Sequence, residues 1–174
     1  MGLYYLLNTE RDWSIVPRSS PSKIVVVGCG RWLRRDDQVG LLVARKLSEA
    51  GLLDARIVET ESPGGDLPVE LDGADLLVVV DAARPGKTAA PGAWSRIDYR
   101  REPDRIVSRP SMIDVHGLGV DAALNLAREI GLLPEDVWVY AVAVEDCGYG
   151  EDLTLAVCRT LDELAVRIPA DIAA

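Results

Sequence analysis

Several things are scarce in this chain, and each scarcity excludes a class of function. No apolar run approaches a membrane span: runs such as Ile24–Val27 and Leu76–Val80 fall far short of the roughly 18 residues needed. Basic residues are outnumbered, 19 against 28 acidic, for a formal net charge of -9. That balance argues against nucleic-acid backbones and anionic membranes as partners, and it suits cations and basic peptides. The three cysteines, Cys29, Cys147 and Cys158, include no close pair, so they form neither a disulfide framework nor a zinc-finger pattern. Such usage fits a reducing cytoplasm. Met1 to Leu7 is apolar but has no basic flank, and Glu10, Arg11 and Asp12 follow too early for a signal sequence. Walker A, HExxH and GxSxG patterns are all missing.

The 174 residues, 48% hydrophobic and 27% charged, have the composition of one folded domain with its own core. Residues 1–22 read as an N-terminal extension ending in the Pro17–Ser22 linker, 23–168 as a single domain, and 169–174 as a C-terminal tail. Lys23–Val27, Ala55–Glu59, Asp75–Asp81, Trp94–Tyr99 and Val137–Val144 read as strands, the fourth as an edge strand. Val39, Leu42, Val43 and Leu47 recur at helical spacing up to a stop at Gly51, and Val120, Ala123, Leu124, Ala127 and Ile130 do so up to Gly131. Thr154 is placed to cap a last helix carrying Val157, Cys158, Leu161, Leu164, Ala165 and Ile168. Ser62–Asp66 reads as a loop before a short helix over 67–71, and Arg100–Pro110 as an exposed mobile loop. Strands alternating with helices predict an α/β three-layer sandwich: a mainly parallel sheet of about five strands with helices on both faces.

In such sheets, sites lie beyond the carboxyl ends of the strands. The first strand runs into Gly28-Cys29-Gly30-Arg31-Trp32-Leu33-Arg34-Arg35-Asp36-Asp37-Gln38-Val39-Gly40, the clearest buried strand ends in Asp81, and the single histidine, His116, precedes a helix. Two carboxylates and an imidazole converging on one rim suit a divalent first-row metal such as zinc or nickel and leave a coordination position for substrate or water. Each residue also has a structural reading: a strand-end turn for Asp81, compensation of a helix dipole for Asp37, a loop contact for His116. Gly28-x-Gly30 opens like a dinucleotide fingerprint, but Leu33 stands where its third glycine belongs, and Asp36-Asp37 would repel a pyrophosphate. Cys29 reads as an inert buried thiol rather than a nucleophile.

The run Gly28-Cys29-Gly30-Arg31-x-Leu33-x-x-Asp36-Asp37-x-x-Gly40 resembles the opening motif of the hydrogenase maturation endopeptidases. Val78-Val79-Val80-Asp81-Ala82 resembles their second motif and His116-Gly117-Leu118-Gly119 their third. The likeness spans roughly residues 23–168. It implies a phosphorylase/hydrolase-like sandwich and a monomeric endopeptidase. The implied activity is removal of a C-terminal extension from the large-subunit precursor of a nickel–iron hydrogenase once nickel is installed. The residues that contact the precursor's nickel in that family fall on Asp37, Asp81 and His116. The chain departs from the pattern at Arg31, usually Asn there, at Gln38, often Gly, and at Asp37, sometimes Glu.

Two routes to hydrolysis follow: nickel polarises the carbonyl or activates water, or Asp37 or Asp81 is the general base. Amides near Gly28, Gly30, Gly64 and Gly65 are candidate oxyanion donors, and Arg31 is a candidate contact for the substrate's tail. Asp36 is expected to serve a turn or an ion pair, so that its replacement is mild. Two other readings compete. One is a nucleotide-binding enzyme using the Gly28–Gly30 loop for phosphate and Glu59 or Glu61 for ribose. The other is a maturation chaperone that binds the precursor or its metal without cutting.

Overall fold

The computed structural model describes residues 23–51, 54–84, 89–106 and 119–174. Five strands form one sheet: β1 (Ile24–Cys29), β2 (Ala55–Thr60), β3 (Leu76–Ala83), β4 (Trp94–Asp98) and β5 (Asp136–Ala143). Their order is β2-β1-β3-β5-β4. All neighbours are parallel except β4, which pairs antiparallel with β5 at the edge. The expected mainly parallel sheet is therefore present, with most strand ends displaced by a residue or two.

The β-branched runs of β1 and β3 bury both of their faces. Val25, Val27, Leu77 and Val79 pack with Leu67 of α2 (Pro63–Glu70), with Leu71 just after it, and with Ala123, Leu124 and Ala127 of α3 (Val120–Glu129). On the opposite face Val26, Val78 and Val80 meet Val39, Val43 and Leu47 of α1 (Val39–Ala50) and Val157, Leu164 and Ile168 of α4 (Leu155–Ala173). This explains why both strands read as continuous apolar runs rather than alternating ones.

Helix α1 approaches the sheet more closely than a side chain would allow. A Cβ on Gly40 would lie 2.3 Å from the Val80 carbonyl oxygen, and one on Gly28 would lie 2.0 Å from the Gly40 oxygen. Two glycines, one per element, thus bring the start of α1 onto the ends of β1 and β3. Gly51 closes α1 at φ 59, the left-handed conformation suited to glycine.

Two sequence expectations need correction. Helix α2 begins at Pro63, not after Asp66: a proline at the first helical position gives up an N–H that would have no partner there anyway, so Pro63-Gly64-Gly65 starts the helix rather than delaying it. The last helix does not stop at Ile168 but runs through Pro169 to Ala173. Asp171 holds that end down, accepting from the Tyr140 hydroxyl at 2.6 Å and pairing with Arg167 at 2.8 Å, so residues 169–173 belong to the domain. The segment after β4 is exposed at most positions from Arg100 to Arg105, as its sequence suggests. Arg100 donates to the Leu133 and Pro134 carbonyls at 2.8 Å, and a short 3-10 turn follows at Pro103–Arg105.

Candidate active site

The chain leaves β1 in one direction to β2, and β3 lies on the other side of β1, which makes the β1/β3 boundary a topological switch point. Crevices at the carboxyl ends of strands form at such points. Gly28 is in register with Val80, so Asp81 lies one residue beyond the last β1–β3 pair. Asp37 sits in the 3-10 turn Arg35–Gln38 that leads from β1 into α1. Both carboxylates are partly buried at this rim.

They also feel each other. Burial first, and then the charge of Asp37, push the Asp81 carboxyl up to about 7, against a weaker opposing effect of the Ala82 amide that it accepts at 3.0 Å. The Asp37 charge therefore disfavours ionisation of Asp81. A divalent cation answers both charges at once. The donor set is therefore right for a metal carried into the site. Among the described residues, however, no three His, Cys, Asp or Glu side chains group into a metal site. The third candidate, His116, lies outside the described residues.

Asp36, next to Asp37, is fully buried, and its carboxylate is filled by four donors. The amides of Glu145 and Asp146 approach at 3.2 and 3.1 Å, and Thr154 supplies its amide at 2.7 Å and its hydroxyl at 3.0 Å. Thr154 stands at the cap position of α4, as its sequence predicts, but its hydroxyl serves Asp36 and makes no cap hydrogen bond. The turn and the loop 145–154 are further joined by Arg35 N to Gly150 O, Gly150 N to Leu33 O, both 3.0 Å, and Gln38 Nε2 to Glu151 O, 2.5 Å. Gln38, a departure from the family pattern, thus holds the loop.

The glycine candidates divide by what their amides already do. Gly30 donates to the Thr60 carbonyl at 3.3 Å and Gly65 to the Ser62 carbonyl at 3.1 Å, so neither amide is open to an oxyanion. Gly28 lies inside β1 between two neighbours and is required for the approach of α1. Gly64 is in the first turn of α2, where amides have no intrahelical acceptor. Arg31 is exposed on the same loop. Cys29 is buried, and burial, then Asp81 and Asp66, push its thiol well above the ordinary range, which keeps it protonated and inert as expected.

Sequence reasoning missed the partners of Asp36 and the placement of Cys147. Burial and then Asp37 and Asp36 raise the Cys147 thiol, which puts it beside the turn. Nothing local announces these contacts, since Asp36 and Thr154 are 118 positions apart.

No protein-family model and no curated protein matches the chain. Solved structures do. Hydrogenase maturating endopeptidase HybD from E. coli aligns at TM-score 0.72 and 20% identity, over 87% of this chain and 92% of that one. An endopeptidase from Escherichia coli aligns at TM-score 0.70 and 22% identity, over 84% and 89%. The NiFe hydrogenase maturation protease HycI from Thermococcus kodakarensis KOD1 aligns at TM-score 0.64 and 23% identity, over 90% and 96%. The chain has the three-layer α/β fold of these proteases along nearly its whole described length.

Proposed function

We propose that this protein is a hydrogenase maturation endopeptidase. It removes the C-terminal extension of a nickel–iron hydrogenase large-subunit precursor after nickel has been inserted. The fold shared with the maturation proteases supports the class of reaction. The observation that carries the site is the electrostatically coupled pair Asp37 and Asp81 at the β1/β3 switch point.

In this reading Asp37, Asp81 and His116 bind the nickel that the precursor brings, so cleavage waits for nickel insertion. The charge of the incoming metal offsets the repulsion between the two carboxyls. Hydrolysis then proceeds either with nickel polarising the scissile carbonyl or activating water, or with Asp37 or Asp81 as the general base that takes a proton from the attacking water. The Gly64 amide is the remaining glycine donor for the developing oxyanion. The protein acts as a monomer in the cytoplasm, with no nucleic-acid or membrane partner. No helix among the described residues is long and apolar enough to cross a membrane.

The site disfavours the nucleotide reading on two counts. Paired carboxylates repel phosphate, and the Gly30 amide that would cradle it is already bonded to Thr60. The test is cleavage of the precursor by Asp37→Asn, Asp81→Asn and His116→Ala. All three should lose processing while keeping a wild-type circular-dichroism spectrum. Normal processing by His116→Ala would show that the three residues do not act as one metal-binding set.

A further inference from the structure

Asp37 sits on a turn that its own neighbours do not favour. Leu33 and Arg35 hold left-handed backbones, at φ 60 and 45, which residues carrying a Cβ rarely adopt. Strained backbone of this kind persists only where its surroundings over-determine it. Here much of the surroundings is one loop. Arg35 N donates to Gly150 O and Asp36 N to Asp146 O, both at 3.0 Å, and Gln38 Nε2 reaches Glu151 O at 2.5 Å. In return, the Asp36 carboxylate accepts from the Glu145, Asp146 and Thr154 amides and from the Thr154 hydroxyl. The turn also meets the end of β1 without slack: a Cβ on Gly30 would lie 2.0 Å from the Asp37 carbonyl oxygen.

The sheet order gives these bonds a direction. Strand β3 lies between β1 and β5. The turn follows β1 and the loop 145–154 follows β5, so bonds between the two span the carboxyl end of β3, where Asp81 is in register with Ala141 of β5. We infer that Asp36 is the positioning residue of the site: its buried carboxylate clasps the turn to the loop across the end of β3 and so fixes Asp37 beside Asp81. This rests on the endopeptidase reading and deepens it. Asp36 touches neither metal nor substrate, because it is fully buried and both of its oxygens are taken. Thr154 is its principal partner, giving its amide to one oxygen and its hydroxyl to the other. Such a clasp bears on the rate, since a reacting group misplaced by about 1 Å loses up to about a hundredfold.

The experiment is steady-state cleavage of nickel-loaded precursor by Thr154→Val, Thr154→Ser and Thr160→Val, at a temperature where circular dichroism shows all three folded. Thr154→Val removes one donor from Asp36 and keeps the shape of the side chain, whereas Thr154→Ser keeps the donor. Thr160→Val is the control for stability. That buried threonine, also on α4, gives its hydroxyl to the Gly92 and Ala156 carbonyls at 2.5 and 3.2 Å, bonds that do not involve the turn. In Thr154→Val, kcat/KM should fall about tenfold. It should stay within about twofold of wild type in Thr154→Ser and Thr160→Val. A wild-type kcat/KM in Thr154→Val overturns the positioning role. An equal loss in Thr160→Val also overturns it, because the effect is then one of general stability. Failure of Thr154→Ser to restore the rate does so too, because the hydroxyl is then not the cause. Absence of cleavage by the wild-type protein instead overturns the endopeptidase reading beneath it.

Discussion

Thr154 gives both its amide and its hydroxyl to Asp36, at 2.7 and 3.0 Å, across 118 positions of sequence. With the Glu145 and Asp146 amides, one buried carboxylate thereby ties the β1–α1 turn, the loop after β5 and the start of α4 together. A buried ion is tolerated only when its acceptor capacity is filled, and here it is. The turn or ion-pair role that sequence suggests for Asp36 is therefore replaced by that of a buried acceptor joining three segments. Asp36→Ala leaves three amides and a hydroxyl without their acceptor and should cost about 3 kcal/mol or more of unfolding free energy. Urea denaturation checks this. A loss under about 1 kcal/mol would show that water replaces the carboxylate without penalty.

Asp81 makes the opposite prediction. Its carboxyl is raised to about 7 in the fold, against about 3.9 in an unfolded chain. Between those values the native state binds more protons than the unfolded state, so this group's contribution makes stability fall as pH rises from about 4 to about 7. Above about 7 the native state carries the whole penalty. Asp81→Asn removes it while keeping an oxygen for the Ala82 amide. The variant should be more stable than wild type by about 1–3 kcal/mol at pH 8, with the difference vanishing below about pH 4. Thermal melts of both proteins across that range check the sign. Gaining stability while losing activity is the pattern of a residue kept for function.

The close approach of α1 gives a contrast between two glycines. Gly40→Ala places a Cβ 2.2 Å from the Cys29 carbonyl oxygen and 2.3 Å from that of Val80, backbone atoms that cannot yield without moving the sheet. It should abolish soluble, folded protein. Gly51→Ala meets no atom within 4 Å and bears only the cost of φ +59, about 1 kcal/mol. Expression and melting of the two variants separate steric necessity from turn preference.

Much of this was legible in the sequence, for reasons that can be located. The β1 and β3 runs are apolar because both faces are covered, and strand–helix alternation then fixes the sheet type. Asp37 and Asp81 could be selected because polar residues at the carboxyl ends of buried strands have few other places to go than the rim. What stayed hidden depends on distant partners. Asp36 looks like a surface turn residue until the loop 145–154 closes over it. Pro63-Gly64-Gly65 looks like a loop until proline is placed at the first position of a helix. Pro169 looks like a terminus until Asp171 is seen bonded to Tyr140.

The most direct test of the account is a processing assay on paired precursors. Purified wild-type protein is mixed with nickel-loaded and with nickel-free large-subunit precursor, and precursor mass is followed with time. The account predicts loss of the C-terminal extension from the nickel-loaded form alone. Equal cleavage of both forms would contradict the role given to Asp37, Asp81 and His116. Binding of the precursor with no cleavage of either form would contradict the protease and favour a maturation chaperone.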